Sequence, residues 1–107
     1  MELIMIVITN ENLEDYINGE LPFVLDFWAE WCGQCKALTP TITSLDEEYK
    51  DKIVVGKCNI EENEDIISKY NIRNLPTILF FKNGEVIDKI IGVPIKSVLI
   101  EKFNSLL

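Results

Sequence analysis

An apolar run that changes directly into a helical pattern is the feature that most constrains this fold. Residues 23–29 are apolar except for Asp26, and such a nearly continuous run is typical of a strand covered on both faces. Beyond Cys32, apolar residues recur at spacings of three and four, which predicts a helix that continues to Lys50. Those residues are Leu38, Ile42, Leu45 and Tyr49. Pro40 removes one backbone hydrogen bond inside this helix, so we expect a kink there.

The same kinds of pattern predict the other elements of the chain. Apolar and β-branched runs predict four further strands, at residues 3–8, 53–60, 77–81 and 85–91. Amphipathic spacing predicts three further helices, around residues 13–17, 66–70 and 98–106. We expect Asn10 to cap the first helix, and Asn83 with Gly84 to form the turn of a hairpin. The order βαβαβαββα predicts an α/β fold in which four α-helices flank a mixed central sheet of five strands.

The length and charge of the chain narrow the classes of function. A chain of 107 residues fits one domain, here residues 1–107, with a single hydrophobic core. The 18 acidic residues outnumber the 10 basic ones, and the net charge of -8 would repel a phosphate backbone. The longest apolar run, residues 3–8, is too short to cross a membrane, and no basic segment precedes it. We therefore expect a cytoplasmic protein that binds neither nucleic acid nor membranes.

Three cysteines, which cannot all pair within one chain, indicate redox or metal chemistry, and the absence of histidine removes the commonest zinc ligand other than cysteine. A closed zinc site needs four Cys or His ligands, whereas this chain offers only Cys32, Cys35 and Cys58. We therefore predict no metal site, and the alternatives are a site completed by a carboxylate or a second chain, and an inert buried disulfide.

Cys58 lies in a predicted buried strand and is expected to pack as a small apolar side chain, with a slowly accessible regulatory thiol as the alternative.

Cys32 and Cys35 have the spacing of a reactive pair. Two cysteines three positions apart on the first turn of a helix lie on one face, close enough to form a disulfide after a small adjustment. Cys32 would occupy the helix N-terminus, where free backbone N–H groups and the helix dipole favour the thiolate. Cys35 lies one turn further and lacks that help. The asymmetry predicts that Cys32 attacks a substrate disulfide and that Cys35 resolves the mixed disulfide.

Asp26 is the one carboxylate in the apolar run that precedes Cys32. Burial without a partner would be costly enough to raise the pKa of its carboxyl group. Because the chain has no histidine, Asp26 is also the best candidate for a general base. Phe27, Ile78 and Phe80 are expected to pack in the core.

Several segments of the chain resemble the thioredoxin family. They are residues 26–36 with Pro40, residues 71–77, residues 81–85, and Gly92, and they fall in the family's order along most of the chain. The resemblance implies a thioredoxin fold and a thiol-disulfide oxidoreductase, an electron carrier that reduces protein disulfides and forms a redox-active Cys32–Cys35 disulfide. It also implies a cytoplasmic monomer with no bound cofactor. Thioredoxin reductase, which takes electrons from NADPH through its own flavin, would regenerate the dithiol.

The resemblance also implies roles for four residues outside the cysteine pair. Asp26 would lie behind Cys35 as a proton acceptor with Lys57 nearby, and a purely structural Asp–Lys pair is the alternative. Pro76 would follow a cis peptide bond opposite the cysteines, with an ordinary trans turn as the alternative. The backbone of Leu75 would pair with an extended substrate segment.

An apolar surface around the cysteines that receives substrate proteins is a further implication of the resemblance. Its members would be Trp31, Gly33, Thr77, Gly92 and Val93. Gly33 and Gln34, between the cysteines, would tune the redox potential. The family usually has Pro where this chain has Gln34, and other residues recur there in more oxidising relatives. A disulfide oxidase or isomerase is therefore one alternative function, and a redox-silent binding module is another.

Overall fold

The computed structural model describes residues 5–107, and its helices and strands follow the predicted order. The elements are β1 (Ile6–Val7), α1 (Leu13–Ile17), β2 (Phe23–Trp28), α2 (Gly33–Glu48), β3 (Val54–Asn59), α3 (Glu64–Lys69), β4 (Thr77–Lys82), β5 (Glu85–Ile91) and α4 (Lys96–Ser105). Residues 3 and 4 of the predicted first strand lie outside the described part of the chain. No helix within residues 5–107 is both long enough and apolar enough to cross a membrane.

The five strands form one mixed sheet in the order β1-β3-β2-β4-β5. Strands β1 and β2 each run parallel to β3, whereas β4 runs antiparallel to both β2 and β5. The hairpin between β4 and β5 turns at Asn83 and Gly84, whose φ angles of 54° and 83° lie in the left-handed region that this type of turn requires. The predicted sheet and hairpin are therefore confirmed, and β2 lies in the middle of the sheet.

Side chains of the sheet pack into two hydrophobic layers. On one face, Val24 of β2 lies in a cluster with residues of α2 and α4, among them Leu38 and Phe103. On the other face, Phe27 of β2 lies in a cluster with residues of α1 and α3, among them Ile66. Each large apolar side chain buried in this way contributes about 1.5–3 kcal/mol of transfer free energy. The predicted core residues Phe27, Ile78 and Phe80 are fully buried.

Helix capping differs from the sequence-based expectation at Asn10. Its side-chain oxygen accepts a hydrogen bond at 3.2 Å from the backbone N–H of Ile66, in the first turn of α3, and not from α1. A second hydrogen bond joins the same loop to the start of α3: the side-chain oxygen of the buried Asn63 accepts a hydrogen bond at 3.1 Å from the backbone N–H of Asn10. The prediction that Asn10 caps the first helix was therefore wrong: folding places the loop that carries Asn10 against α3.

Candidate active site

The connection from β2 to α2 carries the cysteine pair. Cys32 has an extended backbone and is the N-cap residue of α2, while Cys35 lies in the first turn of that helix. A disulfide joins the two residues, whose Cα atoms are 5.3 Å apart. Their exposed fractions are 7% and 2%, so protein surrounds most of the disulfide. The predicted Cys32–Cys35 disulfide is confirmed.

The environments of the two sulfurs differ. The backbone N–H of Cys35 donates a hydrogen bond to the Sγ of Cys32 at 3.1 Å. Because the first N–H groups of a helix have no partner within the helix, the start of α2 favours negative charge on the Cys32 sulfur. Cys35 lies one turn further along α2. The arrangement can therefore stabilise a thiolate at Cys32, the species that attacks disulfides.

Behind Cys35 lies a cavity of about 110 Å³. Asp26 of β2 and Lys57 of β3 line it from the sheet, and Cys35 and Thr39 line it from α2. The Asp26 carboxyl group is only 2% exposed, and its Oδ1 atom has no hydrogen-bond partner among the described residues. This burial raises the pKa of Asp26 to about 7, although the positive charge of Lys57 opposes the increase.

Lys57 lies beside Asp26 without forming an ion pair with it. The two residues are partners in the parallel register of β2 and β3. The Nζ atom of Lys57 lies 5.4 Å from the centroid of the Trp28 ring, in the geometry of a cation–π interaction. No ion pair of Asp26 occurs within residues 5–107. Lys57 therefore acts on the Asp26 carboxyl group through its charge rather than through direct contact.

The loop before β4 also reaches the cysteines. The peptide bond between Leu75 and Pro76 is cis, in agreement with the resemblance. Leu75 packs against the small cluster formed by Cys32, Cys35 and Ala29. The carbonyl oxygen of Pro76 accepts a hydrogen bond at 2.9 Å from the backbone N–H of Gly92. Leu75 therefore brings a distant part of the sequence to the disulfide, and Gly92 is hydrogen-bonded to the residue that follows it.

Most residues predicted for the apolar surface are accessible. Trp31 is 67% exposed, Val93 is 48% exposed, and Gly33 is also exposed. Gln34, which is predicted to tune the redox potential, is exposed as well. Gly92 is partly buried, with a left-handed φ of 89° and no atom near the position of a Cβ.

Thr77 does not belong to that surface. It is 1% exposed, and its Oγ1 donates a hydrogen bond at 2.6 Å to the carbonyl oxygen of Asn74. The prediction that its side chain lies on the surface was wrong, because this side chain is buried in the protein, where its hydroxyl group bonds to the loop before β4. Its register partner on β5, Ile91, is 57% exposed and was not among the residues predicted for the surface. The sequence signal for Ile91 is an apolar residue directly before Gly92, at the end of the last strand.

Thr39 was also not predicted as a site residue. It lines the cavity behind Cys35, and its Oγ1 donates a hydrogen bond at 3.0 Å to the Cys35 carbonyl oxygen. A polar residue four positions after Cys35, and so on the same helix face, is the signal that could have found it.

Cys58 lies on the opposite face of the sheet from Asp26. It is fully buried in the cluster that contains Phe27, and it forms no disulfide. Burial raises the pKa of its thiol to about 11. The expectation of a small buried apolar side chain is confirmed. In the part of the chain that the structure describes, no group of three or more His, Cys, Asp or Glu side chains is placed to hold a metal ion.

Comparisons with known proteins agree with this geometry. The thioredoxin family model matches residues 4–105. A thioredoxin from Rickettsia felis is 48% identical over 91 residues, which are 85% of this chain and 87% of the relative. The chloroplastic M-type thioredoxin of Spinacia oleracea is 50% identical over 95 residues, 86% of this chain and 52% of that longer protein.

A solved structure has the same fold. It comes from a study of the thiol-resolving mechanism in yeast mitochondrial 1-Cys peroxiredoxin via glutathione/thioredoxin systems. The TM-score is 0.87 at 31% identity, and the similarity covers 95% of both chains. The family match, the fold and the disulfide at the start of α2 lead to one conclusion. The chain belongs to the thioredoxin family and is a thiol-disulfide oxidoreductase that reduces protein disulfides.

Proposed function

We propose that Cys32 is the nucleophile of protein-disulfide reduction and that Cys35 is the resolving thiol. The Cys32 thiolate attacks one sulfur of the substrate disulfide, a Cys32–substrate disulfide forms, and the other substrate sulfur leaves with the electron pair. The Cys35 thiolate then attacks the Cys32 sulfur, which forms the Cys32–Cys35 disulfide and releases the second substrate sulfur. The observation that carries this assignment is the hydrogen bond from the Cys35 N–H to the Cys32 Sγ at the start of α2.

Trapping the intermediate tests the two roles. Cys35→Ser leaves the nucleophile in place but removes the resolving thiol, so a mixed disulfide with a substrate such as insulin should accumulate. Cys32→Ser should form no such adduct, because the remaining thiol lies one turn inside the helix. The measurement is mass spectrometry of the quenched reaction. If Cys32→Ser traps substrate and Cys35→Ser does not, the roles are reversed; if the double Ser variant still reduces insulin, the pair is not the active centre.

Asp26 is the proposed proton acceptor for Cys35. It lines the same cavity as Cys35, and a pKa of about 7 lets it accept a proton and return one near neutral pH. Lys57 limits the rise of this pKa. Asp26→Asn is expected to slow reduction by on the order of 10²-fold at pH 7 while the fold stays intact. An unchanged rate across neutral pH would remove Asp26 from the mechanism.

The exposed surface beside the disulfide is the proposed site for substrate proteins. Trp31, Val93 and Ile91 supply apolar area, and Gly92 allows close approach because no side chain projects from it. The backbone of Leu75 would pair with an extended substrate segment next to the reacting sulfur. Trp31→Ala should raise the KM for insulin more than it lowers kcat, since it removes contact area and no reacting group.

The electron donor and the cellular setting are inferred from the family. A reductase that carries electrons from NADPH through a flavin would restore the dithiol, and the chain would act as a cytoplasmic monomer built from one domain, residues 1–107. NADPH consumption in the presence of a purified thioredoxin reductase and insulin tests the first part, and sedimentation of the pure protein tests the second.

Gln34 supports a more oxidising alternative, a disulfide oxidase or isomerase. In place of Pro it restores a backbone N–H and frees the φ angle between the cysteines. One hydrogen bond at the helix start is enough to shift the potential by about 30 mV, or about 1.4 kcal/mol for two electrons. Gln34→Pro is therefore expected to make the protein more reducing in a redox titration against glutathione. No shift, or a shift in the other direction, would reject this role of Gln34.

A further inference from the structure

The connection from β5 to α4 exposes an apolar side chain at every second position. Ile91, Val93 and Ile95 are exposed, whereas the intervening Gly92 and Pro94 are partly buried. With 70% of its surface exposed, Ile95 is the most exposed large apolar side chain among the described residues. The three exposed side chains are named the 91–95 strip below. Single exposed apolar side chains are ordinary, but a row of them on one short segment is typical of a binding surface.

Ile95 also occupies a position in α4 that favours a different kind of side chain. It is the N-cap residue of that helix. Ser, Thr, Asp and Asn are preferred there, because their side-chain oxygen accepts a hydrogen bond from a free backbone N–H of the first turn. Ile95 has no such oxygen, and no side-chain hydrogen bond caps the start of α4. The folded chain therefore gains neither a cap nor burial from Ile95, and local conflicts of this kind are expected at functional positions.

The strip is connected to the cysteine pair through two short contacts. Leu75 packs against the cluster that contains both cysteines, and the carbonyl oxygen of the next residue, Pro76, accepts a hydrogen bond from the N–H of Gly92. Ile95 follows Gly92 by three residues, so their Cα atoms are at most about 11 Å apart at about 3.3–3.6 Å per residue. A substrate protein bound at the cysteine pair is therefore within reach of the strip.

We propose that Ile95 is a specificity-determining residue, which contacts an apolar side chain of the substrate protein beside its reacting cysteine. The 91–95 strip extends the substrate surface from Gly92 to the start of α4. The substrate class that it favours is proteins in which apolar residues flank the reactive disulfide. The inference rests on the proposed substrate surface around Trp31 and Gly92, and it concerns binding rather than the chemistry of the cysteine pair.

The size and charge of the strip match a transient substrate contact. Even an aromatic side chain buries only about 150–250 Å². Three aliphatic side chains therefore stay below the about 800 Å² per partner of a stable interface. A substrate protein must leave once its disulfide is reduced, so a small contact area suits the reaction. No charged residue occurs among residues 91–95, so the strip offers an apolar partner side chain an uninterrupted apolar contact.

Variants at Ile95 separate substrate contact from helix capping. Ile95→Ser removes the apolar side chain and supplies a capping oxygen, Ile95→Ala removes it without supplying one, and Ile95→Leu keeps an apolar side chain. The substrates are two disulfide-bridged peptides that differ only in the residues flanking the reactive cysteine, Leu in one and Gln in the other. Ile95→Ser and Ile95→Ala should lower kcat/KM for the Leu peptide about three- to tenfold, through KM. The Gln peptide should react as before, and Ile95→Leu should keep the parent values.

Urea unfolding gives a second readout that a merely structural role would not produce. Ile95→Ser should raise the urea midpoint because it caps α4, whereas Ile95→Ala should not. A variant that is more stable and yet binds the Leu peptide less well identifies a side chain that serves binding. Ile87 is the matched control, because it is an exposed apolar residue of the same region but lies toward the hairpin end of β5. Ile87→Ser should leave KM for both peptides unchanged.

Three outcomes would overturn the role of Ile95. They are equal losses with both peptides, Ile95→Leu behaving like Ile95→Ala, and a parent protein that sediments as a dimer while Ile95→Ser sediments as a monomer, since a second copy would then cover the strip. Trp31→Ala distinguishes this failure from that of the proposed substrate surface. If Trp31→Ala raises KM and Ile95→Ser does not, only the role of Ile95 fails; if neither raises KM, the substrate surface fails with it.

Discussion

Asp26 and Cys58 are two buried acidic side chains on neighbouring strands, and they lie on opposite faces of the sheet. Each is almost completely inaccessible to solvent, and burial raises the pKa of both, to about 7 for Asp26 and about 11 for Cys58. The carboxyl group faces a cavity that it shares with Cys35, whereas the thiol is packed among apolar side chains such as Phe27.

The difference between the two residues lies in what surrounds them. With a pKa of about 7, Asp26 can gain or lose a proton near neutral pH, while Cys58 stays protonated and apolar. Burial alone therefore does not distinguish a candidate functional group in this protein. The distinguishing feature is that Asp26 lines the cavity behind Cys35, whereas Cys58 does not.

The largest expected difference is in thiol reactivity. In the reduced native protein, Cys58 should react with iodoacetamide at least about 10³-fold more slowly than Cys32, because it must wait for the core to open. Mass spectrometry at timed intervals measures both rates, and denatured protein, in which all three cysteines react, is the control. A third fast thiol would mean that Cys58 is not sealed in the core.

The next largest effect is on stability. The pKa of Asp26 is higher in the folded protein than in the unfolded chain, so the folded state loses stability as the pH rises from about 4 through about 7. Between 3.8 and about 7, at about 1.4 kcal/mol per pH unit, ionisation costs about 4 kcal/mol. Asp26→Asn should therefore be more stable than the parent at pH 8, with little gain at pH 4. Urea unfolding at both values measures this, and an equal gain at both would contradict the linkage.

Cys58→Ser tests how the core responds to a polar group at the buried Cys58 position. A hydroxyl group buried without a partner should lower the free energy of unfolding by about 1–3 kcal/mol. The rate of insulin reduction and its pH profile should not change, because the other face of the sheet carries the disulfide. Cys58→Ala, which introduces no polar atom, is the matched control. If Cys58→Ser shifts the pH profile, the two faces are coupled.

The smallest effect concerns Lys57. Its positive charge lowers the pKa of Asp26 against the larger effect of burial, so Lys57→Met should raise that pKa above its present value. The pH midpoint of mixed-disulfide resolution should rise, but by less than burial raises the pKa of Asp26, because Lys57 is the smaller of the two causes. Carbon NMR titration of the carboxyl group measures it directly, and the slow labelling of Cys58 is the internal control. A downward movement would reject the electrostatic role.

Local patterns account for what could be predicted. The order of strands and helices follows from apolar periodicity, and the Cys32–Cys35 disulfide follows from a spacing of three at a helix start. The errors at Asn10 and Thr77 have a common origin. Asn10 meets α3 from a distant loop, and Thr77 is buried at a position where β4 pairs with both β2 and β5. Contacts between distant parts of the chain determined both outcomes.

The amino-acid sequence by itself determined the elements, their order, the reactive cysteine pair and the presence of a carboxylate in a buried strand, because these depend on neighbouring residues. The tertiary structure decided which side chains meet. Register pairs Asp26 with Lys57, and the packing of α2 on the sheet places Cys35 and Thr39 at the same cavity. Cys58 follows Lys57 on β3, and successive side chains of a strand point to opposite faces of the sheet. Its side chain therefore lies in the hydrophobic layer that contains Phe27, away from Asp26.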